Sequence, residues 1–222
     1  MIGYQNTFFY TIVGTFLNLA VTLPAAYTLS KPDLPGRGFL MGFFMFTMYF
    51  SGGMIPTYLL VKACNLLDTR WVLLITGLIS VYNMIVCRTF FQRLPVELEE
   101  AAMIDGSSAL HTFIRIVLPL SKALMGVMVL YYGVAHWNSY FSAMIYISDT
   151  SKWPLQLFLR RILILSQTSE EMYDEQALIS KEYMKTLIKY AVIIVSSAPV
   201  LIIYPFLQKY FDKGVLLGSV KG

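Results

Sequence analysis

The sequence predicts an all-α integral membrane protein, a polytopic helix bundle in which five spans are visible. Three observations predict it. Hydrophobic residues make up 57% of the chain and the mean hydropathy is +0.62, more than a soluble domain needs for its core. Charged residues are only 14%, and they gather in short stretches instead of lining faces. Five stretches reach the roughly 20 apolar residues that a helix needs to cross the hydrocarbon of a bilayer.

The first span covers residues 7–29 and contains Pro24, which neighbouring helices in a bundle accommodate. Residues 30–38, with Pro32, Pro35, Gly36 and Gly38, make a compact turn. The second span covers residues 39–61, with Gly52, Gly53 and Pro56 marking a break or kink. A short polar connection over residues 62–70 leads to the third span, residues 71–91, which delivers the chain to a polar segment at 94–119. The fourth span covers residues 123–147. After a long polar stretch over residues 148–185, the fifth covers residues 186–207 and holds Pro199 and Pro205.

Alternation then fixes which connections share a side. The 94–119 segment, the 30–38 turn and the C-terminal tail lie on one side; the N-terminus, residues 62–70 and the 148–185 loop lie on the other. Lys and Arg divide nine to eight between the two sides, so charge bias does not orient the bundle.

Several chemistries are excluded. Cys64 and Cys87 have no metal-ligand spacing and no disulfide framework, and Cys87 sits in an apolar run that predicts a buried thiol. His111 and His136 stand apart from any carboxylate or cysteine cluster. The phosphate loop, the nucleophile elbow and the His-Glu-x-x-His pair are all missing, which leaves no basis for an intramembrane enzyme. No Asp or Glu lies within the apolar cores, which argues against a proton-relay carrier. The net charge of +4 forms no basic stripe with interleaved aromatics, so nucleic acid is not a predicted partner. No cleavable signal peptide is visible: the first apolar run is too long and lacks a basic start.

The segment at 94–119 stands out in so apolar a chain. Pro95 suits the first position of a helix, where its missing N–H costs nothing. Glu97, Glu99 and Glu100 follow where the positive end of the helix dipole favours carboxylates. Asp105-Gly106 supplies a left-handed turn to end that helix, and Ser107 or Ser108 can cap a second one. Leu94, Leu98, Ala101 and Ala102 fall on one side and give a small, smooth face suited to docking.

Glu100-Ala101-Ala102 with Gly106, followed by Ile116 and Leu118-Pro119, resembles the E-A-A-x-x-x-G…I-x-L-P loop of bacterial ABC-importer permeases. The resemblance extends to Trp153-Pro154-Leu155-Gln156, to Gln208-Lys209-Tyr210-Phe211 with Gly214, and to the closing Gly218-Ser219-Val220-Lys221-Gly222. All of these are similar to sugar-importer permeases of the maltose type.

That resemblance implies a multi-pass permease of the bacterial inner membrane, residues 1–222 forming one transmembrane domain. Residues 94–119 are its cytoplasmic coupling segment, 148–185 an extracytoplasmic loop and 209–222 a cytoplasmic tail. Glu100, Ala101, Ala102, Asp105 and Gly106 would seat in a cleft of a partner ATPase, with Glu100 pairing to a basic residue there. Gly218, Ser219, Val220, Lys221 and Gly222 would reach between the ATPase subunits; a frayed terminus is the other reading of that tail. The implied partners are a second permease subunit, two ATPase subunits, an extracytoplasmic solute-binding protein, membrane lipid and a carbohydrate substrate. This chain needs no cofactor of its own, ATP and Mg being held by the ATPase. Family members usually carry a further span ahead of the first one here, so either a leading segment precedes Tyr4-Gln5-Asn6-Thr7, which is the favoured expectation, or the protein is a five-span variant.

For substrate, Tyr82 and Asn83 in the third span and Trp137, Asn138 and Tyr140 in the fourth offer the aromatic and amide groups that suit a sugar path. The same residues fit interhelical hydrogen bonding or an interfacial aromatic belt. Trp153, Pro154 and Gln156 are expected to meet the binding protein, and the 148–185 loop carries enough Leu and Ile for an amphipathic piece on the membrane or a partner. Two rival readings remain at this stage: a permease for a non-sugar solute, and an ATP-independent carrier or channel.

Overall fold

The computed structural model describes residues 1–167, 183–184, 186–199 and 201–202, and every helix among them is α-helical apart from short π and 3₁₀ turns. Helix α1 (Ile2–Ser30) is the axis of the bundle, 29 residues long with Pro24 inside it. Its pattern is inverted relative to a soluble helix. Gly14, Asn18, Thr22, Ala26 and Ser30 recur every four residues and are buried, while Phe8, Ile12 and Phe16 are exposed. Lipid tails are as apolar as Phe or Ile, so small and polar groups are the ones that gain by turning toward other helices.

Helices α5 (Val81–Phe91) and α8 (Lys122–Trp137) pack on that small face. A Cβ added at Gly14 would lie 2.5 Å from the His136 ring, so only glycine lets α8 come this near. Farther along, the Thr22 and Tyr132 hydroxyls hydrogen bond at 2.8 Å. One core cluster gathers Leu23, Ala26 and Leu29 with Met84, Cys87, Phe91, Phe113 and Val117. A second, at the opposite end, joins Tyr10 and Val61 to Val72, Leu74, Ala143 and Tyr146. Cys87 is buried as its apolar run predicted, and Cys64 is exposed.

Only α1 is a continuous helix long and apolar enough to cross a membrane among the described residues; three spans result if each bent pair is one. The second apolar run is broken at the glycine pair, the first of the two outcomes its sequence allows. It is α2 (Arg37–Tyr49) and α3 (Met54–Ala63), which meet at 113° across residues 50–53, where Gly53 takes φ +85°. The third run divides into α4 (Trp71–Ile75) and α5, with residues 76–80 outside either helix. In the fourth, α8 ends at Trp137 and α9 (Phe141–Tyr146) follows, while α7 (Ala109–Leu120) enters α8 through an 84° bend at Ser121. Hydropathy averages over a window, so Gly52, Gly53 and Gly77 break helices inside runs that remain fully apolar. A shorter apolar helix, α11 (Thr186–Pro199), lies in the fifth run.

For the connections among the described residues, the contacts show the grouping that alternation requires; the C-terminal tail lies outside them. At one end Lys31 of the 30–38 turn forms an ion pair with Glu99. At the other, Asn6 donates to the Ser151 carbonyl at 2.7 Å, the Asp68 amide to the Tyr146 carbonyl at 2.8 Å, and Lys152 lies 3.3 Å from Asp149. Hydrogen bonds from Ser151, then Lys152, hold the Asp149 carboxyl below its ordinary range. The amphipathic piece expected in the long loop is α10 (Leu155–Gln167), which buries Leu155, Leu157 and Leu159.

Candidate functional site

Among the described residues, two places bear on transport: a helical knob at one end and a cavity midway along α1. The knob is α6 (Glu97–Ile104). Pro95 stands two residues ahead of the first helical residue rather than at it, with Val96 as the N-cap, and three carboxylates fill the first turn. The exit is a complete Schellman turn: the Ser107 amide donates to the Ala102 carbonyl and the Gly106 amide to the Met103 carbonyl, with Gly106 at φ +77°. Of the two serines, Ser108 caps α7, its hydroxyl accepting from the His111 amide at 3.3 Å.

The inner face of α6 corrects one expectation and adds an ion pair. Ala102 is only 6% exposed, packed against this chain's own residues, so Ala101 and not Ala102 is offered outward. Glu99 is not solvated: it is 8% exposed and receives the Lys31 ammonium and, at 2.9 Å, the Tyr27 hydroxyl. Lys31 also stands 4.3 Å above the Tyr27 ring, and that ring packs on Phe113 and Phe91 at 4.9 and 5.9 Å. The end of α1 is thereby tied to α6 and to the helices on either side of it. Facing out are Glu97, Glu100, Ala101, Asp105 and Gly106 together with Leu98, Met103 and Ile104, the last 86% exposed. A short helix with this much bare apolar surface among its three exposed carboxylates is suited to being covered by a partner.

Nothing lies within 4 Å of a Cβ built at Gly106, so a side chain there meets no clash, only the left-handed backbone. Gly106→Val is expected to cost about 1–2 kcal/mol in the ordering of α6. Hydrogen exchange of the α6 amides in the assembled transporter reads it directly, and unchanged protection refutes it.

The cavity, about 400 Å³, lies where the third apolar run is broken, between α1, α5 and α8. Its polar lining includes Asn18, Thr76, Asn83, Tyr131, His136 and Ser142, without Lys, Arg, Asp or Glu. Asn18 organises it. Fully buried on α1, it donates to the carbonyls of Gly77 (2.8 Å) and Leu78 (2.7 Å) in the unwound segment. Its Nδ2 therefore faces two acceptors, which leaves Oδ1 toward His136 Nε2 at 2.6 Å. An amide oxygen only accepts, so His136 carries its proton on Nε2. One amide thus holds the helix break and fixes the imidazole tautomer.

Of the five substrate-path residues read from the sequence, the structure brings Asn83 to the cavity and places the others elsewhere. Tyr82 is 60% exposed on the outside of α5. Trp137 is buried, its indole N–H donating to the Ser196 carbonyl and its ring edge-on to Phe8. Asn138 donates back to the Val134 carbonyl of its own helix, and Tyr140 lies under Arg160 at 4.9 Å. Of the expected binding-protein contacts, Pro154 is fully buried, while Trp153, which donates to the Ile147 carbonyl and packs on Phe158, and Gln156 are both partly exposed. The tail residues Gly218, Ser219, Val220, Lys221 and Gly222 lie outside the described residues, as do residues 168–182 of the long loop.

Asn18→Leu keeps the branched shape, though not the size, and removes three hydrogen bonds. Each orphaned buried group costs about 1–3 kcal/mol, so a clear fall in the melting temperature of the assembled transporter is expected. Thermal unfolding in detergent measures it; an unchanged midpoint refutes the clamp.

Comparison with known proteins then fits this architecture. Residues 1–217 match the family described as binding-protein-dependent transport system inner membrane component. Protein LplC of Bacillus subtilis (strain 168) is 48% identical over 215 residues, covering 96% of this chain and 72% of that protein. The polygalacturonan/rhamnogalacturonan transport system permease protein YtcP of the same organism is 47% identical over 214 residues, covering 96% and 74%. The crystal structure of a bacterial ABC transporter involved in the import of the acidic polysaccharide alginate contains a chain with TM-score 0.83 and 34% identity, covering 95% of this chain and 74% of that one. The chain belongs to the family of binding-protein-dependent transport system inner membrane components, as a multi-pass permease of the bacterial membrane.

Proposed function

We propose that the protein is the permease subunit of an ABC importer for a carbohydrate, an oligosaccharide, and that it forms part of the path and couples uptake to ATP hydrolysis by a partner ATPase. The observation that carries the substrate class is the cavity. Amide, hydroxyl and imidazole groups line it together with Tyr131 and Tyr132. Sugars present many hydroxyls and apolar C–H faces, which this mixture of uncharged polar groups and aromatic rings complements. Relatives named for polygalacturonan and rhamnogalacturonan and for arabinooligosaccharides, and the alginate importer, support the same class.

In this reading a second permease completes the path, two ATPases bearing ATP and Mg sit against α6, and an extracytoplasmic binding protein delivers substrate near the Asn6, Asp68 and Ser151 end. Glu100, Ala101, Asp105 and Gly106 form the docking surface. Closure of the ATPase pair displaces α6, and the bundle exposes its cavity alternately to each side.

The test is reconstitution of the complete transporter in proteoliposomes with a panel of loaded binding proteins. ATP hydrolysis is expected to rise with glycan-loaded binding protein alone. A response restricted to an amino acid or metal load transfers the protein to a non-sugar importer. Transport without any ATPase subunit makes it a carrier or channel and ends the reading.

A further inference from the structure

We propose that Arg37 and Arg88 form a site for the phosphate of an anionic phospholipid at the membrane boundary on the α6 side. The two guanidiniums lie together. With its carboxamide oxygen turned toward them, Gln92 accepts from Arg37 at 2.7 Å and from Arg88 at 3.0 Å. Arg88 Nε donates to the Leu29 carbonyl at 2.9 Å. Those acceptors are neutral. Among the described residues no carboxylate comes within ion-pair distance of either arginine. Two half-buried positive charges that share one neutral oxygen call for an anion.

The place identifies which anion. Leu29 belongs to the last turn of α1, where the apolar run ends, so Arg88 is held at headgroup level. The two arginines line a cleft of about 630 Å³ whose other walls include Leu34, Gly36, Met41 and Met45. The cleft is cationic at the turn and apolar where Met41 and Met45 carry it along α2. None of that helix's residues is fully buried: Met41 and Phe44 rest partly on the core, while Met45 is exposed, so lipid has access to its outer side. A phosphate doubly engaged by guanidinium forks, with an acyl chain over the two methionines, matches both ends. Basic pockets between helices on the cytoplasmic side are where anionic headgroups bind in general. A soluble phosphate satisfies the forks and leaves the methionine wall bare.

The experiment uses the assembled transporter in nanodiscs of phosphatidylcholine with rising phosphatidylglycerol, and counts phosphatidylglycerol retained per complex after delipidation by native mass spectrometry. Arg37→Gln is the first variant, because Arg37 starts α2 at the surface and its only described side-chain partner is Gln92. Arg37→Gln with Arg88→Gln is the second. The mole fraction giving half-maximal retention is expected to rise about tenfold for the single change and further for the double, with no shift in Lys122→Gln, an exposed cation at the same end. Equal loss in Lys122→Gln, or unchanged retention in both arginine variants, overturns the site. Millimolar inorganic phosphate that displaces the retained lipid's headgroup signal and serves equally well in detergent overturns the lipid as its occupant. Loss of ATPase subunits with lipid retention intact assigns the pair to a protein contact instead.

Discussion

In proteoliposomes, Glu100→Lys is expected to lower uptake roughly 100-fold while ATP hydrolysis continues at its unstimulated rate. Glu100 is exposed on the outer face of α6, and among the described residues no cation lies within ion-pair distance of it. Its neighbours on that face are Ala101, too small to shield it, and the bare apolar surface of Met103 and Ile104. In the proposed assembly, a carboxylate so placed gains its value when an ATPase covers α6 and supplies a cation in a water-poor contact. Reversing the charge there leaves two like charges facing each other, and such juxtaposition costs several kcal/mol. The fold of α6 survives the change. The Glu100 amide still donates to the Val96 carbonyl, and a lysine in the first turn loses only about 0.3–1 kcal/mol of dipole interaction. Glu100→Gln, which keeps shape and loses charge, is expected to fall between. Normal uptake in the Lys variant removes the coupling role from this helix.

What was legible in the sequence was local chemistry. The helix of α6, the turn at Gly106 and the cap at Ser108 each follow from a few adjacent residues whose backbone preferences point one way. The long first helix was legible too, since twenty-nine residues without a charge have few alternatives in lipid. What escaped was whatever depends on partners distant in the chain. Asn18 reads as one polar residue in an apolar run, and its meaning comes from Gly77, Leu78 and His136, 59, 60 and 118 positions away. Its only local trace is the four-residue recurrence with Gly14, Thr22 and Ala26. The break at 50–53 was announced by Gly52 and Gly53, though not its 113° angle, whereas that at 76–80 escaped because apolar residues on both sides of Gly77 keep a hydropathy average high. Trp137 reads from the sequence as an aromatic group available to ligand. Which face of a helix holds a tryptophan is decided by packing, and Trp137 turns inward to a backbone carbonyl.

The second large effect is expected at Lys31. Lys31→Met removes the cation from Glu99, whose side chain is 11% exposed, and leaves it only the Tyr27 hydroxyl. An unpaired carboxylate in such a position costs about 3–5 kcal/mol when fully enclosed; the 35% exposure of Lys31 places this site toward the lower end. The strain is relieved by swinging α6 away from α1, so amides of residues 97–104 are expected to exchange roughly 100-fold faster in the assembled transporter. Uptake falls with it, because a helix detached from α1 yields to the ATPase without moving the bundle, while ATP hydrolysis persists. A further change separates charge from packing. Lys31→Met with Glu99→Leu replaces the ion pair by apolar contact, which restores order in such sites as often as the pair itself. Recovery of both exchange protection and uptake in that double variant makes the tie between α6 and α1 mechanical. Exchange unaltered in Lys31→Met means that α6 is held by its flanking helices alone, and the motion of the ATPase then reaches the cavity through α5 and α8 without passing along α1.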